Sequence, residues 1–108
     1  MGRVEYEIFL DDEGKVRLRR RHETEKGKVK EFLVQLEVKV RGTWKPVIRY
    51  DCAHGFAHAD VFDIHGRSEK VRLPSHLADF NEALTYAELD VKENWKKYIE
   101  KFLKGRKR

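Results

Sequence analysis

The sequence predicts an α+β fold, an antiparallel meander sheet of about six strands with one long C-terminal helix packed across a face. Three observations support it. Between residues 4 and 73, short segments alternate apolar with polar side chains and are divided by glycine-bearing turns; from about 76 to 104, apolar residues recur at steps of three and four; and segment 30–40 presents an apolar face that such a helix can cover.

Val4, Tyr6, Ile8 and Leu10 fall on one side of the first segment and Glu5 and Glu7 on the other, the period of a half-buried strand. Asp11-Asp12-Glu13-Gly14 reads as a turn into 15–22, where Val16 and Leu18 alternate with Arg17, Arg19 and Arg21, and Lys26-Gly27-Lys28 is the next reversal. Phe32, Val34, Leu36, Val38 and Val40 then form an unbroken apolar face, with Leu33 an exception on the other side. After Arg41-Gly42-Thr43, Pro46 marks 44–50 as an edge strand or a strand start, because proline cannot donate to a ladder. Residues 58–64 and 69–73 make the last hairpin through Ile64-His65-Gly66-Arg67. The helix starts at Ser75 or at Asp79, which has Glu82 at capping-box spacing. Phe80, Leu84, Ala87, Val91, Trp95, Tyr98 and Phe102 form its apolar stripe, and Gly105 is its expected C-terminal cap.

A length of 108 residues bounds the chain to one domain, with strands in 4–73, the helix at about 76–104 and a basic tail at 104–108. Lys, Arg and Glu abound while Gln and Asn are scarce, a balance expected of a thermophilic source. Cys52 is alone, which excludes an intramolecular disulfide and a Cys-rich zinc site. No apolar stretch approaches a membrane span and no signal-peptide pattern opens the chain, so a cytoplasmic protein without a membrane partner is expected. Of the net charge of +5, four units come from Lys104, Arg106, Lys107 and Arg108, so the body is nearly neutral and the charge alone does not argue for nucleic acid. Arg17, Arg19 and Arg21 resemble a phosphate ladder, but the meander sets Glu5, Glu7, Glu31 and Glu37 opposite them, and cross-strand ion pairing is the expected use.

The run Arg49-Tyr50-Asp51-Cys52-Ala53-His54-Gly55-Phe56-Ala57-His58-Ala59-Asp60 is different in kind, because turn chemistry explains only its glycine and one aspartate. Arg49 and Asp51 share one side of their strand, His58 and Asp60 share one side of the next, and a short bend separates His54 from His58. Two imidazoles, a guanidinium and orienting carboxylates are what acid-base cleavage of a phosphodiester requires, with Tyr50 and Asp60 as substrate contacts. That chemistry needs no metal and no cofactor. The same His54 and His58 with one or two aspartates are also acceptable metal ligands, and a polar network that merely ties the loop down accounts for them equally.

Val47-Ile48-Arg49-Tyr50-Asp51, Ala53-His54-Gly55 with His58, and Asn81-Glu82-Ala83-Leu84-Thr85 opening a helix resemble a family of small uncharacterised prokaryotic proteins, over Trp44 to Leu103. More distantly, a strand ending in Arg-Tyr-Asp, a His-bearing loop and a late helix are similar to the TumE-type toxins of toxin-antitoxin modules. Where that pattern has Asn after the Asp and a His-x-His pair, this chain has Cys52 and His58-Ala59-Asp60. The resemblance implies action on RNA as a ribonuclease and an antitoxin protein as partner. The competing expectation is a non-catalytic interaction protein, a homodimer formed through an edge strand at Trp44 to Tyr50, and a third is a metal-binding protein.

Overall fold

The computed structural model describes residues 2–52, 55–74, 77 and 79–104. Six strands, β1 (Gly2–Phe9), β2 (Val16–Glu25), β3 (Lys28–Val40), β4 (Thr43–Asp51), β5 (His58–Phe62) and β6 (Ser68–Arg72), precede one helix, α1 (Phe80–Lys104). The strands form a single open antiparallel sheet in chain order, and α1 packs against one face, so the fold is α+β as the alternation and the stripe predict.

Two of the hairpins are tighter than the sequence suggests. Lys26-Gly27 and Arg41-Gly42 each have both residues at positive φ, 54° and 80° in the first and 53° and 80° in the second. That pairing is the two-residue turn whose twist matches the strands it joins, so β2 runs on to Glu25 and β3 begins at Lys28. The Asp11 turn is closed by its carboxylate, which accepts from the backbone of Lys15 and Val16 at 2.9 Å each. In the last hairpin the Asp63 carboxylate does the same for His65 and Arg67, at 2.9 and 3.0 Å.

β4 corrects the edge-strand expectation. It lies between β3 and β5, and the edges of the sheet are β1 and β6. Pro46 is tolerated because β5 pairs only with Ile48 to Asp51, and because the ladder with β3 is irregular there: Leu36 faces Ile48 while Glu37 faces Pro46. The extra residue, Val47, is buried along with Ile48, as a bulge that turns two successive side chains to one face requires.

The face under α1 holds the core. Val16 and Leu18 of β2, Phe32, Val34, Leu36 and Val38 of β3, and Ile48 and Tyr50 of β4 meet Ala83, Leu84, Ala87, Val91 and Phe102 of the helix. Leu18, Val34, Leu36 and Val91 are fully enclosed, each worth about 1.5 to 3 kcal/mol of burial. The helix starts later than 76: Asp79 is its N-cap, accepting from the backbone of Glu82 at 2.9 Å, while Ser75, the other expected start, and Gly105 lie outside the described residues.

Polar clamps flank the core. Glu88 accepts from the Tyr6 hydroxyl at 2.7 Å and pairs with Arg20, while Asp90 accepts from the hydroxyls of Tyr50 and of Tyr98, the latter at 2.6 Å, and from Asn94 at 2.9 Å. Nearer the helix start, the Asn81 side chain accepts from the backbone of Val29 at 2.9 Å. Burial and the Asp90 contact push the Tyr98 phenol up to about 12 and the Tyr50 phenol higher still.

Candidate functional site

Strand alternation and register build the site on the sheet face that α1 does not cover. Asp51 is the Cα partner of His58, and Arg49 that of Asp60, so two alternate rungs of the β4–β5 ladder, with Tyr50–Ala59 between them, carry four chemically active side chains on one side. The loop between the strands bends at Gly55, whose φ of 86° is the left-handed conformation and whose N–H donates to the carbonyl of Cys52 at 3.2 Å.

The centre of the group is His58. Its Nε2 lies 3.2 Å from Asp51 Oδ1 and 3.6 Å from Asp60 Oδ2, and its side chain is 6% exposed against 18% and 15% for the two aspartates. Lys70 reaches Asp60 Oδ1 at 3.4 Å from β6. Both carboxylates lie on the same imidazole nitrogen, and the three groups form a donor set, with one atom from each within 4.8 Å of the others.

Arg49 is held from two directions. Its Nε donates to Gln35 Oε1 at 2.6 Å, and its guanidinium stands 5.3 Å from the centroid of the Phe62 ring. Gln35 donates in turn to Glu37, whose other oxygen takes Arg17 Nε at 2.6 Å; Arg19 adds a contact at 3.4 Å, and Arg17 also reaches Glu7 at 3.5 Å. Because a carboxylate only accepts, Glu37 fixes which end of the Gln35 amide faces Arg49. Arg17 and Arg19 are therefore committed to ion pairs, the use their glutamate neighbours suggest.

Gln35 and Glu37 are buried on a face that none of the described elements covers, at 7% and 4% exposure. Alternation marks them as polar and outward; their burial comes from long neighbours on β2 and β4, which only the register reveals. Phe56 was likewise not singled out from the sequence. Its ring is 60% exposed and 5.6 Å from the His58 ring, and an apolar residue in a turn that does not need one was the available signal.

The expected residues divide accordingly. Arg49, Asp51, His58 and Asp60 come together. Tyr50 does not join them: it occupies the opposite face, 4% exposed, with its hydroxyl on Asp90, because successive strand residues point apart. Cys52 is buried as well, and burial pushes its thiol up, away from nucleophilic use. His54, the other half of the expected pair, lies outside the described residues, as do Arg106, Lys107 and Arg108 of the tail. No described helix is long and apolar enough to cross a membrane.

A family model described as a domain of unknown function, DUF7718, matches residues 1–108, and the chain belongs to that family. No match was found among curated proteins or among solved structures.

Proposed function

With family membership leaving the chemistry to the residues themselves, we propose that this chain is a TumE-like protein acting on RNA, a ribonuclease centred on His58. The observation that carries the reading is the contact of His58 Nε2 with Asp51 at 3.2 Å, two rungs from Arg49 on the same face. Asp51 holds the imidazole in one orientation; Arg49, steadied by Gln35 and Phe62, is the cation for the phosphate.

In the reaction, one imidazole takes the proton of a ribose 2′-hydroxyl as its oxygen bonds to the adjacent phosphorus. The bond from phosphorus to the 5′-oxygen breaks, and that oxygen is protonated by the second imidazole, leaving a 2′,3′-cyclic phosphate and a 5′-hydroxyl. His58 takes one role and His54 the other, while Arg49 stabilises charge on the phosphoryl oxygens. The TumE-like reading brings RNA as substrate and an antitoxin protein as partner.

A second reading rests on the donor spacing. Ligands bonded to one metal at about 2.0 to 2.2 Å lie about 3.0 to 3.5 Å apart, and His58 Nε2 is 3.2 and 3.6 Å from its two carboxylate oxygens. One nitrogen and two carboxylate oxygens suit zinc, manganese or iron, so Asp51, His58 and Asp60 fit a divalent cation that would activate water on the same phosphodiester.

One experiment separates the readings. Purified protein is incubated with single-stranded RNA with and without EDTA, and its metal content is measured. Cleavage that persists in EDTA and disappears in His58→Ala supports the acid-base reading. Cleavage lost in EDTA and restored by added Mn²⁺ or Zn²⁺, with stoichiometric metal in the untreated protein, supports the second. Intact RNA throughout contradicts both.

A further inference from the structure

The uncovered face carries a second group of residues that the ribonuclease chemistry does not use. Phe9, at the end of β1, and Trp44, near the start of β4, bring their rings to 6.3 Å across the two intervening strands. Between them stands Arg17, the Cα partner of Phe9 on β2, with its guanidinium 3.9 Å from the centroid of the Trp44 ring and its side chain only 16% exposed. The two rings therefore roof a half-buried arginine. Arg17 occupies one face of the indole, and the ring of Phe9 remains 53% exposed.

An exposed aromatic costs apolar hydration, and Phe9 gains none of the core contact that Leu18 finds on the other side of the sheet. The surroundings give the pair a chemistry. Lys39, exposed on β3 and the Cα partner of Trp44, carries its ammonium 5.7 Å from the indole centroid. Glu37 and Glu7 pair with Arg17, and the exposed Lys39 beside the indole is a cation placed for a ligand anion. Stacking surface beside a mobile ammonium suits a nucleobase and its phosphate.

Position ties this group to the His58 centre. Trp44 and Arg49 are on the same strand and the same sheet face, about 13 Å apart, since their partners Lys39 and Gln35 are four residues apart at about 3.3 Å per residue, and the buried Gln35 and Glu37 floor the space between them. At the far end of that path Phe56 stands exposed against His58. An aromatic group thus ends the path on either side of the phosphate-directed arginine.

We propose that Phe9 and Trp44 form a stacking platform for an unpaired nucleobase, so that the substrate is a single-stranded RNA lying along the uncovered face from Trp44 to Phe56. This rests on the reading of His58 as an RNA-acting centre and adds the strandedness of the substrate. A base inside a duplex has no free face to offer Trp44, so paired RNA is excluded by the platform rather than by the chemistry.

The test uses a short single-stranded deoxythymidine oligonucleotide, which lacks the 2′-hydroxyl and so binds without being cleaved. In a Trp95→Phe background Trp44 is the sole tryptophan. Its emission is expected to be quenched on titration, less so as salt rises, with little response to a duplex. Phe9→Ala is expected to weaken binding about tenfold, within the range of roughly 1 to 3 kcal/mol for one stacked base. Absent quenching, equal response to duplex, or unchanged affinity in Phe9→Ala overturns the platform. A protein that sediments as a dimer and becomes monomeric in Phe9→Ala also overturns it, since a second copy then occupies the face. Cleavage that survives while the platform fails leaves the His58 reading standing, and tight single-strand binding without cleavage does the reverse.

Discussion

The two faces of one sheet are built on opposite rules. Under α1, apolar side chains are buried by another element and polar groups sit at the margins, each satisfied by a tyrosine or arginine from the sheet. On the other face none of the described elements is packed over the strands, yet Gln35, Glu37 and His58 are as buried as much of the core. There the covering is done by neighbouring side chains, and polar groups are tied to one another in a chain of contacts from β1 to β6. The covered face is organised for stability by area removed from water. The uncovered face spends polar groups on fixing the positions of other polar groups, which is what a binding or catalytic surface needs.

The contrast breaks most readily at the centre of the core. Leu36→Ala, at a fully buried position of β3, is expected to cost about 3 kcal/mol in urea unfolding. Directly beside it on the chain, Glu37→Ala is expected to cost about 2 kcal/mol, less than a fully buried ion pair would because Arg19 is half-exposed. If Glu37→Ala costs as much as Leu36→Ala, the uncovered face is a second core rather than a working surface.

The pH response of the clamps sharpens the comparison with smaller effects. The Tyr98 phenol is raised to about 12 by burial and by Asp90, so its contribution is complete below its unfolded value near 10 and is lost as pH rises from about 10 to 12. Tyr98→Phe should flatten that part of the alkaline stability curve. Burial pushes the Glu88 carboxyl up, but the Tyr6 hydrogen bond, Arg20 and Lys92 outweigh it and the net shift is downward. Its contribution is present above the unfolded value near 4.5 and fades as pH falls through the lower folded one, so Glu88→Gln should reduce acid sensitivity in the same melts.

How far the sequence reveals each face follows from their rules. The covered face is legible because periodicity encodes it: Phe32, Val34, Leu36 and Val38 at every second residue, and Phe80, Leu84, Ala87 and Val91 at helical spacing, identify both partners before any coordinate is known. Asp90 was less visible, since a carboxylate beside that stripe looks like solvent-facing charge until Tyr50 and Tyr98 are seen to meet it. On the uncovered face the location of the His58 cluster was legible from its composition. Its membership was not fully so, for Tyr50 sits within the run but alternation sends it to the core. Gln35 and Glu37 depend on the β3–β4 register and on the bulge at Val47, neither of which a local pattern specifies. Phe9 and Trp44 meet across two strands, a contact that no spacing in the chain records.

The central claim is that the uncovered face works and the covered face holds. His58→Asn tests it most directly, with single-stranded RNA cleavage and thermal unfolding measured on the same preparation. The account predicts that cleavage is lost while the melting temperature shifts by only a few degrees, about 1 kcal/mol for a domain of this size. Cleavage at the unaltered rate in a folded His58→Asn protein would contradict it.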